Sequence, residues 1–271
     1  MNTIICIQAR TSSSRLPGKV LKPLAGATLL ERMIERVKAA TITAEIVVLT
    51  SHQSEDDPIV QIAQKLGVRC FRGHLTDLLD RHYQAAVQFE ADTVAKIPSD
   101  CPLIDPQIIR TVFDKFNEGG CDYVSNLHPA TYPDGNDVEI FTSDALEEAW
   151  RDGKLDYERE HTTPFMWEQP ERFRIGNVEW ESGLDLSMTH RWTIDYPEDY
   201  EFIRSVYDRL WSPEHSIFTM EDILELLAQY PELAAINAKY VGVNWYRHHL
   251  GSLQTIGPEQ TKILEPNSVL Q

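Results

Sequence analysis

The chain opens on the apolar run Ile4-Ile5-Cys6-Ile7, which stops at Gln8 and gives way to a small, polar loop, Ala9-Arg10-Thr11-Ser12-Ser13-Ser14-Arg15-Leu16-Pro17-Gly18-Lys19. From Thr28 to Ala40 the apolar positions Leu29, Leu30, Met33, Ile34 and Val37 return at helical spacing, with charged residues between them. Glu45 to Thr50 is a second continuous apolar run, suited to a parallel strand buried on both faces. Asp56 and Asp57 open a helix that Gly67 ends. Val68–Phe71 then reads as a strand, Asp77–Phe89 as a helix, Thr93–Ile97 as a strand, and a helix beginning at Pro106 closes at Gly119-Gly120. Further on, Cys121–Asn126, Asp137–Phe141 and Glu171–Val178 read as strands, with a short helix over Ser143–Trp150. A β-like run ends at Asp195, before a helix with Pro197 in its first turn, and helical spacing returns over Met220–Ala228 and Leu233–Tyr240. This alternation predicts an α/β fold: a mostly parallel, twisted sheet with helices on both faces and right-handed crossovers.

In such sheets the loops leaving the carboxyl ends of strands hold the ligand. The first loop offers Ser and Gly backbone to an anion, and Arg10, Arg15 and Lys19 supply positive charge, which points to nucleotide phosphates. The G-x-x-x-x-G-K-[ST] spacing of a Walker A loop is absent. The net charge of −17 argues against nucleic-acid binding, although local cations still admit a small anion. Cys6, Cys70, Cys101 and Cys121 form no C-x-x-C pair, which speaks against a zinc site or a disulfide framework and for a reducing, cytoplasmic setting. No signal peptide and no membrane-spanning stretch is legible.

The segment Arg10 to Lys19, with two basic residues around Leu-Pro-Gly-Lys, resembles the signature loop of the cytidylyltransferases that activate acidic sugars, the acylneuraminate and 3-deoxy-manno-octulosonate enzymes, and within them the spore-coat polysaccharide branch. Four later segments carry the same resemblance: Pro98-Ser99-Asp100-Cys101-Pro102-Leu103-Ile104-Asp105, Tyr132-Pro133-Asp134-Gly135 with Asp137-Val138-Glu139, Glu158-Arg159-Glu160-His161-Thr162-Thr163-Pro164-Phe165, and Arg191-Trp192-Thr193-Ile194-Asp195-Tyr196-Pro197-Glu198-Asp199. The resemblance implies a nucleotide-diphospho-sugar transferase fold and an enzyme that joins CTP to an acidic sugar, giving CMP-sugar and pyrophosphate. It implies Mg²⁺ held by Asp100 and Asp195, a triphosphate held by Arg10, Arg15 and Lys19, and a base facing Gln8 and Ala9, with Arg72 and Arg81 near the nucleotide. On the acceptor side it implies Tyr132, Asp137, Glu139, Glu160, His161 and Arg191.

Several of these positions have plainer readings. Asp105 reads as a helix cap, as Asp195 also could, and Glu198 and Asp199 as first-turn acids. Asp137 and Glu139 share a strand face, which suits either a polar site or an exposed edge. His161 could be a general base or hold the sugar's carboxylate. The expected organisation is a nucleotidyltransferase domain over 1–210, with excursions at 126–181 for the acceptor or a dimer contact, a helical extension over 211–253 and a loosely ordered tail over 254–271. A homodimer is expected from the resemblance, with Trp150, Tyr157, Phe165 and Trp167 as possible contact aromatics. Two other functions stay open: a nucleotide-sugar-dependent glycosyltransferase, against which the absence of Asp-x-Asp at Ser99-Asp100-Cys101 speaks, and a non-catalytic nucleotide-binding homologue.

Overall fold

The computed structural model describes residues 2–264. In chain order, β1 (Thr3–Gln8) is followed by the small pair β2 (Pro23–Leu24) and β3 (Ala27–Thr28), then α1 (Leu29–Ala39), β4 (Glu45–Ser51), α2 (Asp57–Lys65), β5 (Arg69–Gly73), α3 (Leu78–Gln88), β6 (Thr93–Pro98) and α4 (Pro106–Asn117). The second half adds β7 (Tyr123–Ser125), β8 (Glu139–Thr142), α5 (Ser143–Asp152), α6 (Asp156–His161), α7 (Pro164–Trp167), β9 (Ile175–Asn177), α8 (Pro197–Leu210), α9 (Met220–Gln229) and α10 (Glu232–Ala235). Local signals set several of these boundaries. Thr28 and Glu31 form a capping box at α1, and Asp105 caps α4 by accepting from the Gln107 backbone N–H at 2.6 Å.

The sheet runs β5-β4-β1-β6-β8-β7-β9, and every neighbouring pair is parallel except the two that β8 makes. Alternation along β1 links both layers: Ile5 and Ile7 enter the core under α1 and α4, while Ile4 and Cys6 enter the one under α3 and α5. The chain leaves β1 towards β4 on one side and takes β6 on the other, so the strand order reverses there. Gln8 pairs with Pro98 in register, and the loops that follow these two residues therefore rise side by side. This is the topological switch point at which open α/β sheets bind ligands.

Three expectations need correction. The strand expected over Glu171–Val178 shrinks to Ile175–Asn177. The run before Asp195 is not a strand; it is held by cross-loop bonds, Trp192 N–H to the Asp134 carbonyl at 2.7 Å and Ile194 N–H to the Asp100 carbonyl at 2.9 Å. The region after 210 is helical, with α9 and α10, and its Phe218, Met220, Ile223 and Leu226 share one core with Ile5 and Met33. Of the expected loose tail, residues 254–264 are fastened: Ile256 and Thr261 are buried, and the Lys262 N–H bonds the Gly242 carbonyl at 2.7 Å. Residues 265–271 lie outside the described ones.

Candidate active site

The first loop is shaped by its own polar groups. Gly18 has φ of 67°, a left-handed conformation that suits glycine, and its N–H closes the loop onto the Thr11 carbonyl at 2.8 Å. Thr11 is tied down in turn, its N–H and hydroxyl both donating to Asp56 at 2.8 Å. This turn delivers Lys19 inward. Its ammonium meets Asp100 at 3.0 Å, Asp195 at 3.2 Å and the Ile194 carbonyl at 2.6 Å. Arg15 reaches Asp195 at 2.6 Å. Two carboxylates from segments nearly a hundred residues apart thus face one ammonium. Burial opposes the charge on Lys19, but Asp100 and Asp195 more than offset it and raise its pKa. For Asp195, burial is outweighed by Lys19, Arg15 and Arg191, and its carboxyl is held well below the usual range.

Behind Asp195 lies a second ionic knot. Arg191, almost fully buried, donates to Asp199 at 3.0 Å, to Asp134 and Asp195 at 3.2 Å, and to the Val243 carbonyl at 2.8 Å. Asp199 also accepts the backbone N–H groups of Asp195 and Tyr196, at 2.9 and 3.0 Å. The first-turn acid Asp199 is therefore a buried clamp that fixes both Arg191 and the backbone carrying Asp195. Gly135 makes this approach possible. Its φ is 108°, and a Cβ there would fall 2.7 Å from the Thr193 nitrogen and the Trp192 carbonyl carbon.

These groups open onto a cleft of about 650 Å³. Gln8, Asp100 and Arg15 line one end, and the Gln8 side-chain oxygen is buried with no partner among the described residues. Tyr132, Asp137, Glu139, His161 and Arg191 line the rest. Burial and, after it, the charge of Asp100 push Asp137 up to about 6. Glu139 bonds Lys96 and Thr163, accepts from the Tyr123 hydroxyl at 2.8 Å, and is thereby kept ionised against its burial. The His161 ring stacks on Trp245 with centroids 3.9 Å apart; burial first, and then the charge of Lys96, lowers its pKa to about 3. The ring lines the cleft in its neutral form.

Other expected residues face elsewhere. Arg10 donates to the Leu75 carbonyl at 3.1 Å, beside the loop, and Ala9 is buried beneath it. Arg72 is a correction: it pairs with Asp57 at 2.6 Å and bonds the Ser51 and Gln53 carbonyls, away from the cleft. Arg81 is another, because it is buried and its guanidinium is spent on the His74 and Leu75 carbonyls. Glu160 is exposed on α6 and does not line the cleft. Tyr157, Phe165 and Trp167 are buried in this chain's own core, while the half-buried Trp150 stacks on Tyr83 at 4.2 Å.

Sequence reasoning missed Lys96, although a lone charge inside the apolar strand Thr93–Pro98 was a readable signal. It also missed the far wall of the cleft, built by Asn244, Trp245, Tyr246 and Arg247 with Glu259 and Gln260. That wall is braced by Asn244 donating to the Gln260 carbonyl at 2.8 Å, and by Glu168 accepting the N–H groups of Gln254 and Thr255 at 2.5 and 2.9 Å.

The structure thus holds a switch-point cleft with paired carboxylates and loop cations, and comparison with known proteins gives the class of enzyme. The profile of the cytidylyltransferase family matches residues 4–225, and the chain belongs to that family. It is 30% identical to the spore coat polysaccharide biosynthesis protein SpsF of Bacillus subtilis over 86% of this chain and 98% of that one. A solved cytidylyltransferase from Leptospira borgpetersenii is 36% identical, with a TM-score of 0.80 over 86% of this chain and 97% of that one. The structure of a CMP:2-keto-3-deoxy-manno-octonic acid synthetase complexed with CTP shares the fold, at TM-score 0.60 and 18% identity over 77% of this chain and 99% of that one.

Proposed function

We propose that the protein transfers CMP from CTP to an acidic sugar, for surface polysaccharide synthesis. The observation that carries this is the meeting of Asp100, Asp195, Lys19 and Arg15 at the switch point, beside a separate acceptor space. In the reaction an acceptor hydroxyl oxygen attacks the α-phosphorus, the bond from that phosphorus to the bridging oxygen breaks, pyrophosphate departs, and the hydroxyl proton is lost. Arg15 and Lys19, relieved of their carboxylates, would take the triphosphate and stabilise charge growing on the leaving group. The unpartnered Gln8 oxygen suits a donor on the base such as the cytosine amino group.

Mg²⁺ is part of this reading. Among the described residues no three His, Cys, Asp or Glu groups converge to hold a metal ion. Asp100 and Asp195, two oxygen donors already facing one cation, fit an ion that takes its other ligands from phosphate and water. Bound there, Mg²⁺ would offset charge on the transferred phosphoryl group. We also propose a homodimer; a monomeric mass in sedimentation at micromolar concentration would overturn it.

The test is pyrophosphate release, screened over four nucleoside triphosphates and a panel of acidic sugars. Release that requires CTP and one acidic sugar supports the proposal. Nucleoside diphosphate released from a nucleotide-sugar would replace it with glycosyl transfer.

A further inference from the structure

Seven carboxylates and four cations line the cleft, so an anionic acceptor enters a space whose charge is against it. It needs a cation not already committed. Arg15 is committed to Asp195, Lys96 to Glu139, and Arg191 to Asp134, Asp195 and Asp199. Among the described residues that line the cleft, Arg247 is the cation with no carboxylate within salt-bridge distance. Its one hydrogen bond goes from Nη1 to the Asn244 carbonyl of its own turn, leaving the other edge of the guanidinium for a ligand. That turn is fixed: the Asn244 side chain holds both the Gln260 carbonyl, at 2.8 Å, and the Tyr246 N–H, at 3.1 Å. Arg247 lines the same cleft as Arg15, Asp195, Tyr196 and Arg191.

Resting on the reading of this protein as an acidic-sugar cytidylyltransferase, we infer that Arg247 is the acceptor-carboxylate anchor. Its planar fork matches a carboxylate bidentately and stays charged despite partial burial. The segment lies beyond residues 4–225, the part of the chain that the family's profile matches.

The test is steady-state kinetics of wild type, Arg247→Gln and Arg247→Lys with the acidic sugar found by the pyrophosphate screen, and with the same sugar reduced to the alcohol at its carboxyl carbon. For Arg247→Gln the KM for the acid should rise roughly 10- to 100-fold, the span expected for hydrogen bonds to a charged group. The KM for CTP should stay within about twofold, and the alcohol should be used equally by wild type and variant. Arg247→Lys should recover part of the loss. A rise in the KM for CTP instead would make Arg247 a phosphate ligand and overturn the inference. Unchanged constants for both substrates would also overturn it, while leaving the cytidylyltransferase reading standing. Wild type that turns over no acidic sugar would bring down that reading, and the anchor with it.

Discussion

The two ends of the cleft are built differently. The end proposed to take the nucleotide is local: one short loop supplies Arg15 and Lys19, and neighbouring strands β1 and β6 set the register that places Asp100 beside them. The acceptor end is assembled from segments near residues 96, 126–139, 161, 185–193 and 242–260, with no strand carrying it as a unit. At the first of these ends Arg15 and Lys19 pair directly with Asp195 and Asp100 at the mouth of the cleft, where Arg15 and Asp100 stay partly exposed. At the acceptor end Lys96 and Glu139, or Arg191 and Asp199, are buried pairs that hold shape. The difference teaches that similar ion pairs can serve as ligands in waiting or as scaffold, and that burial and competing partners decide which.

The largest effect should come from the carboxylates at the nucleotide end. Asp100→Asn and Asp195→Asn should each lower turnover about a thousandfold or more, because the charge they hold acts on the transition state. The double variant should be little worse than either single one in single-turnover pyrophosphate release. Near-normal release by Asp195→Asn would reduce it to a part of the Arg191 knot. Next, Lys19→Ala should weaken CTP binding roughly 10- to 100-fold, measured by calorimetry. It should also lower the melting temperature, since two carboxylates lose their shared ammonium.

Gly135→Ala attacks the other end. A side chain at φ 108° against the 192–193 backbone should cost about 1–3 kcal/mol in urea unfolding. It should also lower turnover, because the backbone it displaces carries Arg191 and the Asp195 clamp, and unchanged turnover with lost stability would reduce Gly135 to a folding role. The smallest effect concerns pH. His82 is buried between Lys96, Arg81 and Glu139, and burial drags its pKa to about 3. An unfolded histidine titrates near 6.5, so between about 6.5 and 3 the unfolded chain binds a proton that the folded chain refuses. Stability from this group is whole above about pH 6.5 and drains away as pH falls. Between pH 7 and 5 the loss should be about 1–2 kcal/mol, and His82→Leu should flatten that slope in paired urea titrations.

How much was legible follows the same division. The first loop could be read because its chemistry is contiguous: a strand end, a Gly at the left-handed turn and three cations within ten residues. Asp100 was legible as the residue after a strand. Arg72 and Arg81 misled because a sequence shows the cation but not the carbonyls and carboxylate that occupy it. Asp199 looked like a helix-start acid, and its burial against Arg191 is a tertiary fact. The wall at 242–260 has no period and no regular element beyond single turns, so nothing in its pattern marked it as part of a site.

The brace at Glu168 has a consequence for how such an enzyme changes its substrate over evolutionary time. Glu168 meets none of the groups that line the cleft's charged interior, yet it anchors the segment that carries Arg247 and Trp245 through the backbone of Gln254 and Thr255. Substitutions at that anchor can shift the acceptor wall by fractions of an ångström while leaving the nucleotide end intact. The far wall can therefore change one remote residue at a time while the paired carboxylates and loop cations stay in place.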